Sequence, residues 1–146
     1  EVLCQQRDPD ELAAEVVKMR RRMREHLLPS EDAEHFALKQ GSGGIVDIEF
    51  MVQYAVLAWA NGYPELAHWS DNVRILEVLG RAALLDREEA QALADAYIAY
   101  RGAAHQLALQ QQPGVVPAQR FAAEPQLVTA RWDQLFRGVT QDQGAG

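Results

Sequence analysis

The stretch Leu38-Lys39-Gln40-Gly41-Ser42-Gly43-Gly44-Ile45-Val46-Asp47-Ile48-Glu49-Phe50 gathers the residues best placed to do chemistry. A glycine loop running into a helix leaves backbone N–H groups at the positive end of the helix dipole, which attracts an anion such as a nucleotide phosphate. The pattern is not a P-loop, which needs Gly-Lys-Ser/Thr after a four-residue gap, and it is not the dinucleotide fingerprint. Residues two apart on a helix point about 160° away from one another, so Asp47 and Glu49 serve separate purposes. With Gly44 as the cap, Asp47 falls in the first turn, where a carboxylate opposes the dipole by roughly 0.3–1 kcal/mol. Glu49 shares a face with Gln53 in an otherwise apolar helix and needs a partner, because burying an unpaired carboxylate is costly. Arg101, on the apolar stripe of a later helix between Tyr97 and Ala104, is the candidate, either as a structural ion pair or as a substrate contact.

Other constellations are weaker. Asp8-Pro9-Asp10 has the D-x-D form that holds two Mg²⁺ ions in nucleotidyltransferases, but no Gly-Ser helix or apolar strand precedes it, and Pro9 fits helix initiation. His26, His35, His68 and His105 lack ligand spacing, so no metal site is expected. His105, one turn after Arg101, reads as a satisfied bundle histidine rather than a general base. The basic run from Lys18 to Arg24 reads first as a solvated helix face, then as a contact with an adjoining domain, then as a site for phosphate or an acidic partner.

These residues need a scaffold, and the composition provides for one. With 146 residues and 48% hydrophobic content, the chain has the size and core of one globular domain. A formal net charge of −7 argues against general nucleic-acid binding. Cys4 is alone, which excludes an intramolecular disulfide or a thiolate cluster and fits a cytoplasmic location. The longest apolar stretch, Met51 to Ala60, is interrupted by Gln53 and is too short to span a bilayer, so no membrane partner is expected. The sequence opens at Glu1 and reads as a piece of a larger protein, with a domain over 1–140 and a frayed tail over 141–146.

Five helices are predicted. Asp8-Pro9-Asp10-Glu11 is a helix start, followed by about five turns with an apolar stripe of Leu12, Val16, Met19, Met23 and Leu27. Lys18, Arg20, Arg21, Arg22 and Arg24 take the remaining surface, and Leu28-Pro29-Ser30 stops the helix. Phe36 to Lys39 reads as a short extended piece. Helix two runs from near Ile45 through Trp59, apolar nearly all round and therefore central, and ends at Asn61-Gly62 with Pro64 beyond. Ser70-Asp71-Asn72 caps a third helix over about Val73 to Leu84, where Arg74, Glu77 and Arg81 have the spacing of ion pairs. Asp86 with Glu89 opens a long fourth helix that buries Leu93, Tyr97, Ile98, Ala104, Leu107 and Ala108 before Pro113-Gly114. A fifth, about Pro125 to Gly138, buries Leu127, Trp132, Leu135 and Phe136. Almost no strand signal appears, so the expected fold is an all-α single-domain bundle, mostly up-down and antiparallel.

The run from Lys39 to Phe50 resembles the G-G-I-x-D-I-E-F signature of the bacterial glutamine synthetase adenylyltransferase family. Trp69-Ser70-Asp71-Asn72-Val73-Arg74-Ile75-Leu76 and Tyr100-Arg101-Gly102-Ala103-Ala104-His105-Gln106-Leu107-Ala108-Leu109-Gln110 are also similar to it, and the resemblance covers about 10–136. It implies a helical module that follows a nucleotidyltransferase domain, in an enzyme whose tandem halves attach AMP to a tyrosine of glutamine synthetase or remove it. The Trp69 to Leu76 segment looks more like the adenylylating half. The resemblance further implies ATP and Mg²⁺, glutamine synthetase as protein substrate, and control by glutamine and the PII signal protein. It marks Lys39, Gly43, Gly44, Asp47 and Glu49 as facing the nucleotide cleft, supported by Arg101 and His105. The family's metal-holding aspartates have no counterpart here, so the isolated piece is expected to bind no cofactor and to be inactive. Ala37 stands where an acidic residue is expected. The competing expectations are a docking module for PII or glutamine synthetase, the similar helical module of the PII uridylyltransferase, and a scaffold that only packs against the catalytic domain.

Overall fold

The computed structural model describes residues 9–27, 34–59, 62 and 71–136. The expectations resting on Asp8, Asn61, Pro64, His68, Trp69, Ser70, Gly138 and the tail over 141–146 lie outside the described residues, as do the side chains of His26 and Leu27. In chain order the elements are α1 (Pro9–Leu27), β1 (His35–Ala37), α2 (Ile45–Trp59), α3 (Asn72–Arg81), α4 (Arg87–Leu109), β2 (Val115–Pro117), a 3₁₀ turn (Ala118–Phe121) and α5 (Glu124–Leu135). The protein is a mostly helical single domain, as the periodicity predicts.

Helix α2 is its centre, touching α1, α3, α4 and α5. Its apolar circumference allows this: Ile45, Val46, Ile48, Met51, Val52, Tyr54, Ala55 and Val56 are all buried, whichever way they point. Helices α3 and α4 form the most extensive helix pair. Gly80 lets them approach closely, since a Cβ there would lie 3.2 Å from that of Ala90.

Several boundaries and faces differ from the sequence reading. On α1, Met19 is 55% exposed whereas Arg20 is only 2% exposed, so Arg20 does not belong to the solvated face. The buried stripe is Leu12, Ala13, Val16, Val17 and then Arg20, a three- and four-residue spacing that admits one cation because a partner awaits it. Helix α3 stops at Arg81 rather than near Leu84, because Ala83 takes φ 59° and the N–H groups of Leu84 and Leu85 both turn back to Leu79 O. On α4, Ile98 is 55% exposed and Ala108 is also exposed, while Tyr100 is completely buried. On α5, Val128 and Phe136 are buried, with Leu127, Trp132 and Leu135 half-buried.

Strand β1 pairs antiparallel with β2, with Phe36 opposite Val116. The extended piece at Phe36 agrees with the sequence expectation, whereas its partner is only three residues long and has no strand signal of its own. Phe36, Tyr100 and Phe121 pack ring to ring, with centroids 5.0–6.3 Å apart, and fasten this ribbon to α4. The ribbon delivers the chain to the glycine loop, since Leu38 N–H donates to Gly114 O at 3.0 Å.

Candidate functional site

The glycine loop is closed upon itself. Gly44 N–H donates to Gly41 O at 2.9 Å, Ile45 N–H to Leu38 O at 2.8 Å and Val46 N–H to Lys39 O at 3.0 Å. Gly43 N–H donates to Asp47 Oδ2 at 2.7 Å. Donors that would have greeted an anion at the start of α2 are therefore taken by carbonyls and by the chain's own carboxylate, which corrects the reading of an open phosphate cradle. Asp47 reaches back over the helix start in the manner of a capping box.

Arg20 completes this arrangement from α1. Its Nε donates to Asp47 Oδ1 at 2.5 Å, and its two terminal nitrogens donate to Gln40 Oε1 at 2.9 Å and Gln40 O at 2.8 Å. The fork geometry of a guanidinium suits one carboxylate plus two further acceptors, and it binds α1, the loop and α2 into one unit. Gly43 has φ 82°, and a Cβ there would lie 2.5 Å from Pro125 O, so the loop also packs against the start of α5. Sequence reasoning missed Arg20 because its neighbours are the exposed Lys18, Arg21 and Arg22. Its i+4 relation to Val16 was the available signal.

Glu49 turns the other way. It is half-buried and accepts a hydrogen bond from Tyr97 Oη at 3.0 Å. Asn72 Nδ2 donates to the same hydroxyl at 3.1 Å, and Arg101 donates to it at 3.4 Å. The expected ion pair between Glu49 and Arg101 is thus not direct: the tyrosine hydroxyl stands between them. Burial raises the Tyr97 pKa above its ordinary 10.0, reinforced by the hydrogen bond to Glu49 and by its charge, with Asn72 and Arg101 opposing. These groups line an open cleft of about 790 Å³, solvent-facing space included, together with Asp71, Val73 and Ile98.

Of the seven residues marked by the sequence, Gly43, Gly44 and Asp47 are buried against the chain's own groups. Lys39 is exposed beside them. Glu49 and Arg101 share the cleft, and His105 is exposed one turn further along α4 rather than buried in the bundle. Tyr97 and Asn72 join the cluster without having been singled out as site residues.

Three segments distant in sequence converge here: Glu49 from the α2 signature, Asn72 from the start of α3, and Arg101 from α4. Those are the segments that carry the family resemblance. The family model described as GlnD PII-uridylyltransferase matches residues 12–114. The chain is 45% identical over 140 residues to a bifunctional glutamine synthetase adenylyltransferase/adenylyl-removing enzyme of Hahella chejuensis, covering 93% of this chain and 14% of that protein. It is 47% identical over 149 residues to the enzyme of the same name from Pseudomonas aeruginosa, covering 94% of this chain and 15% of the relative. For the Nitrosococcus oceani enzyme, again of that name, the figures are 50% over 136 residues, 93% and 14%. This chain spans about a seventh of the length of the relatives it matches, it is similar to these bifunctional glutamine synthetase adenylyltransferase/adenylyl-removing enzymes, and it belongs to the family described as GlnD PII-uridylyltransferase.

Proposed function

We propose that this chain is the helical module of an enzyme that transfers AMP from ATP to a tyrosine of glutamine synthetase, and that the cleft around Glu49 and Arg101 closes one side of the nucleotide site of a preceding nucleotidyltransferase domain. The observation that carries this reading is the convergence of Glu49, Asn72 and Arg101 on the single hydroxyl of Tyr97 beside an open cleft. An exposed guanidinium suits phosphate oxygens, and a carboxylate accepts hydrogen bonds from hydroxyl or amino groups. Lys39, exposed on a loop that Arg20 holds fixed, offers a second cation at the surface.

Mg²⁺ belongs to the same proposal, held by carboxylates of the adjoining domain together with the nucleotide phosphates. The role of this module is to orient the nucleotide and to keep water from it. The adenylylating rather than the adenylyl-removing half is favoured by the Trp69 to Leu76 segment. Control by PII and glutamine, and a cytoplasmic location, belong to the same proposal. Among the described residues no helix is long and apolar enough to cross a membrane.

The test is AMP transfer to glutamine synthetase from ATP and Mg²⁺ by the module joined to its nucleotidyltransferase domain. Glu49→Ala and Arg101→Ala are expected to lose transfer while remaining folded. Asp47→Ala is expected to lose stability instead. Full transfer by folded Glu49→Ala and Arg101→Ala enzymes would reduce the cleft to packing.

A further inference from the structure

Resting on that reading, the group between the two charges of the cleft acquires a role of its own. A phenol hydroxyl can donate one hydrogen bond and accept two. Tyr97 uses all three, donating to Glu49 and accepting from Asn72 and Arg101. Its ring is buried, and the Arg101 guanidinium lies 5.8 Å from the ring centroid, within cation–π range. Arg101 itself is exposed and has no carboxylate partner among the described residues. Were Glu49 to pair with it directly, the carboxylate would neutralise the guanidinium and occupy its fork.

We infer that Tyr97 is a positioning residue whose hydroxyl holds Glu49 away from Arg101, leaving the guanidinium open to a phosphoryl group of the nucleotide. The hydroxyl satisfies the half-buried carboxylate without adding charge, and the ring fixes the direction of the arginine stem, which follows it by one helical turn. Glu49 keeps lone pairs for the neutral, hydroxyl- or amino-bearing part of the same ligand. The exposed side chain of Ile98 gives the cleft an apolar ledge.

The experiment is equilibrium titration of ATP, and separately of adenosine, into the module joined to its nucleotidyltransferase domain, with Mg²⁺ present. Tyr97→Phe keeps the ring and removes only the spacer, so it is expected to weaken ATP binding about tenfold, the worth of a charged hydrogen bond, and to weaken adenosine binding much less. Adding Glu49→Gln to Tyr97→Phe removes the competing carboxylate charge and is expected to recover most of the lost ATP affinity. Arg101→Gln is expected to weaken ATP as much as Tyr97→Phe, and the two together no further. Because Arg101 is exposed, its variant keeps the test decisive even if Tyr97→Phe loses the fold. Unchanged ATP affinity in folded Tyr97→Phe, an equal loss for adenosine, or no recovery in the double variant would overturn the inference while the proposed function stood. Unchanged ATP binding and transfer in Arg101→Gln would remove both.

Discussion

The guanidinium of Arg20 and the carboxylate of Asp47, 27 residues apart in sequence, form an ion pair whose side chains are only 3% and 2% exposed. The pair sits where α1 crosses the loop entering α2, and hydrogen bonds there tie Arg20 to Gln40 and Asp47 to Gly43. The acidic residue nearest the glycine loop therefore holds the loop, and the carboxylate that lines the open cleft is Glu49, two residues later on the opposite side of the helix.

Breaking that pair is expected to cost stability rather than affinity. Asp47→Ala and Arg20→Ala each leave a buried charge without its partner, at a cost of about 3–5 kcal/mol. Urea unfolding of the variants measures it. Arg20→Lys keeps the charge but loses the fork to Gln40, so its loss is expected to be smaller than that of Arg20→Ala.

Two glycines are expected to respond in opposite directions. Gly43→Ala forces a side chain into φ 82° and against Pro125 O at 2.5 Å, and is expected to destabilise by about 1–3 kcal/mol. Gly102 lies within α4 with open space where a Cβ would go, so Gly102→Ala is expected to stabilise by about 0.5–1 kcal/mol. Thermal unfolding of the two variants, measured side by side, gives the signs.

Alkaline titration is expected to find Tyr97 and Tyr100 late. Tyr97 is raised above 10.0 by burial, by its hydrogen bond to Glu49 and by that residue's charge. Tyr100 is raised further, by burial first and then by the charges of Glu124 and Asp47, and its hydroxyl has no hydrogen-bond partner among the described residues. A folded-state pKa above the unfolded value means that the neutral form is favoured by folding. That stability is fully present below pH about 10 and is lost as pH rises through the folded values. Absorbance at the phenolate band is expected to show Tyr97 and Tyr100 ionising late in the folded protein, with alkaline unfolding releasing both; ordinary titration of both before unfolding would contradict it.

The capping carboxylates give a smaller effect. Asp86 accepts from Glu89 N–H at 3.2 Å and Asp71 from Val73 N–H at 2.9 Å. Replacing either with alanine is expected to cost about 1 kcal/mol, measured by denaturant unfolding.

Much of this architecture was legible in local patterns. Helix starts at Pro9, Ile45 and Arg87 followed from caps, proline and glycine placed where the first turn needs them, because those signals act within a few residues. The central place of α2 followed from its apolar circumference. Helical geometry alone turns its two carboxylates apart.

What periodicity could not supply was the identity of partners across the fold. Arg20 looks like its basic neighbours until Asp47 is brought to it, and Tyr97 looks like any core aromatic until Asn72, Glu49 and Arg101 surround its hydroxyl. Strand β2 is three residues long, too short for an alternation to show, and exists because β1 offers it a ladder. The sequence by itself determined the helices, the glycine loop and which residue types carry charge, since these depend on neighbours along the chain. Only the tertiary structure decided which carboxylate is a clamp and which faces the cleft, because the cost of burying a charge depends on what meets it from other elements, and that is set by packing.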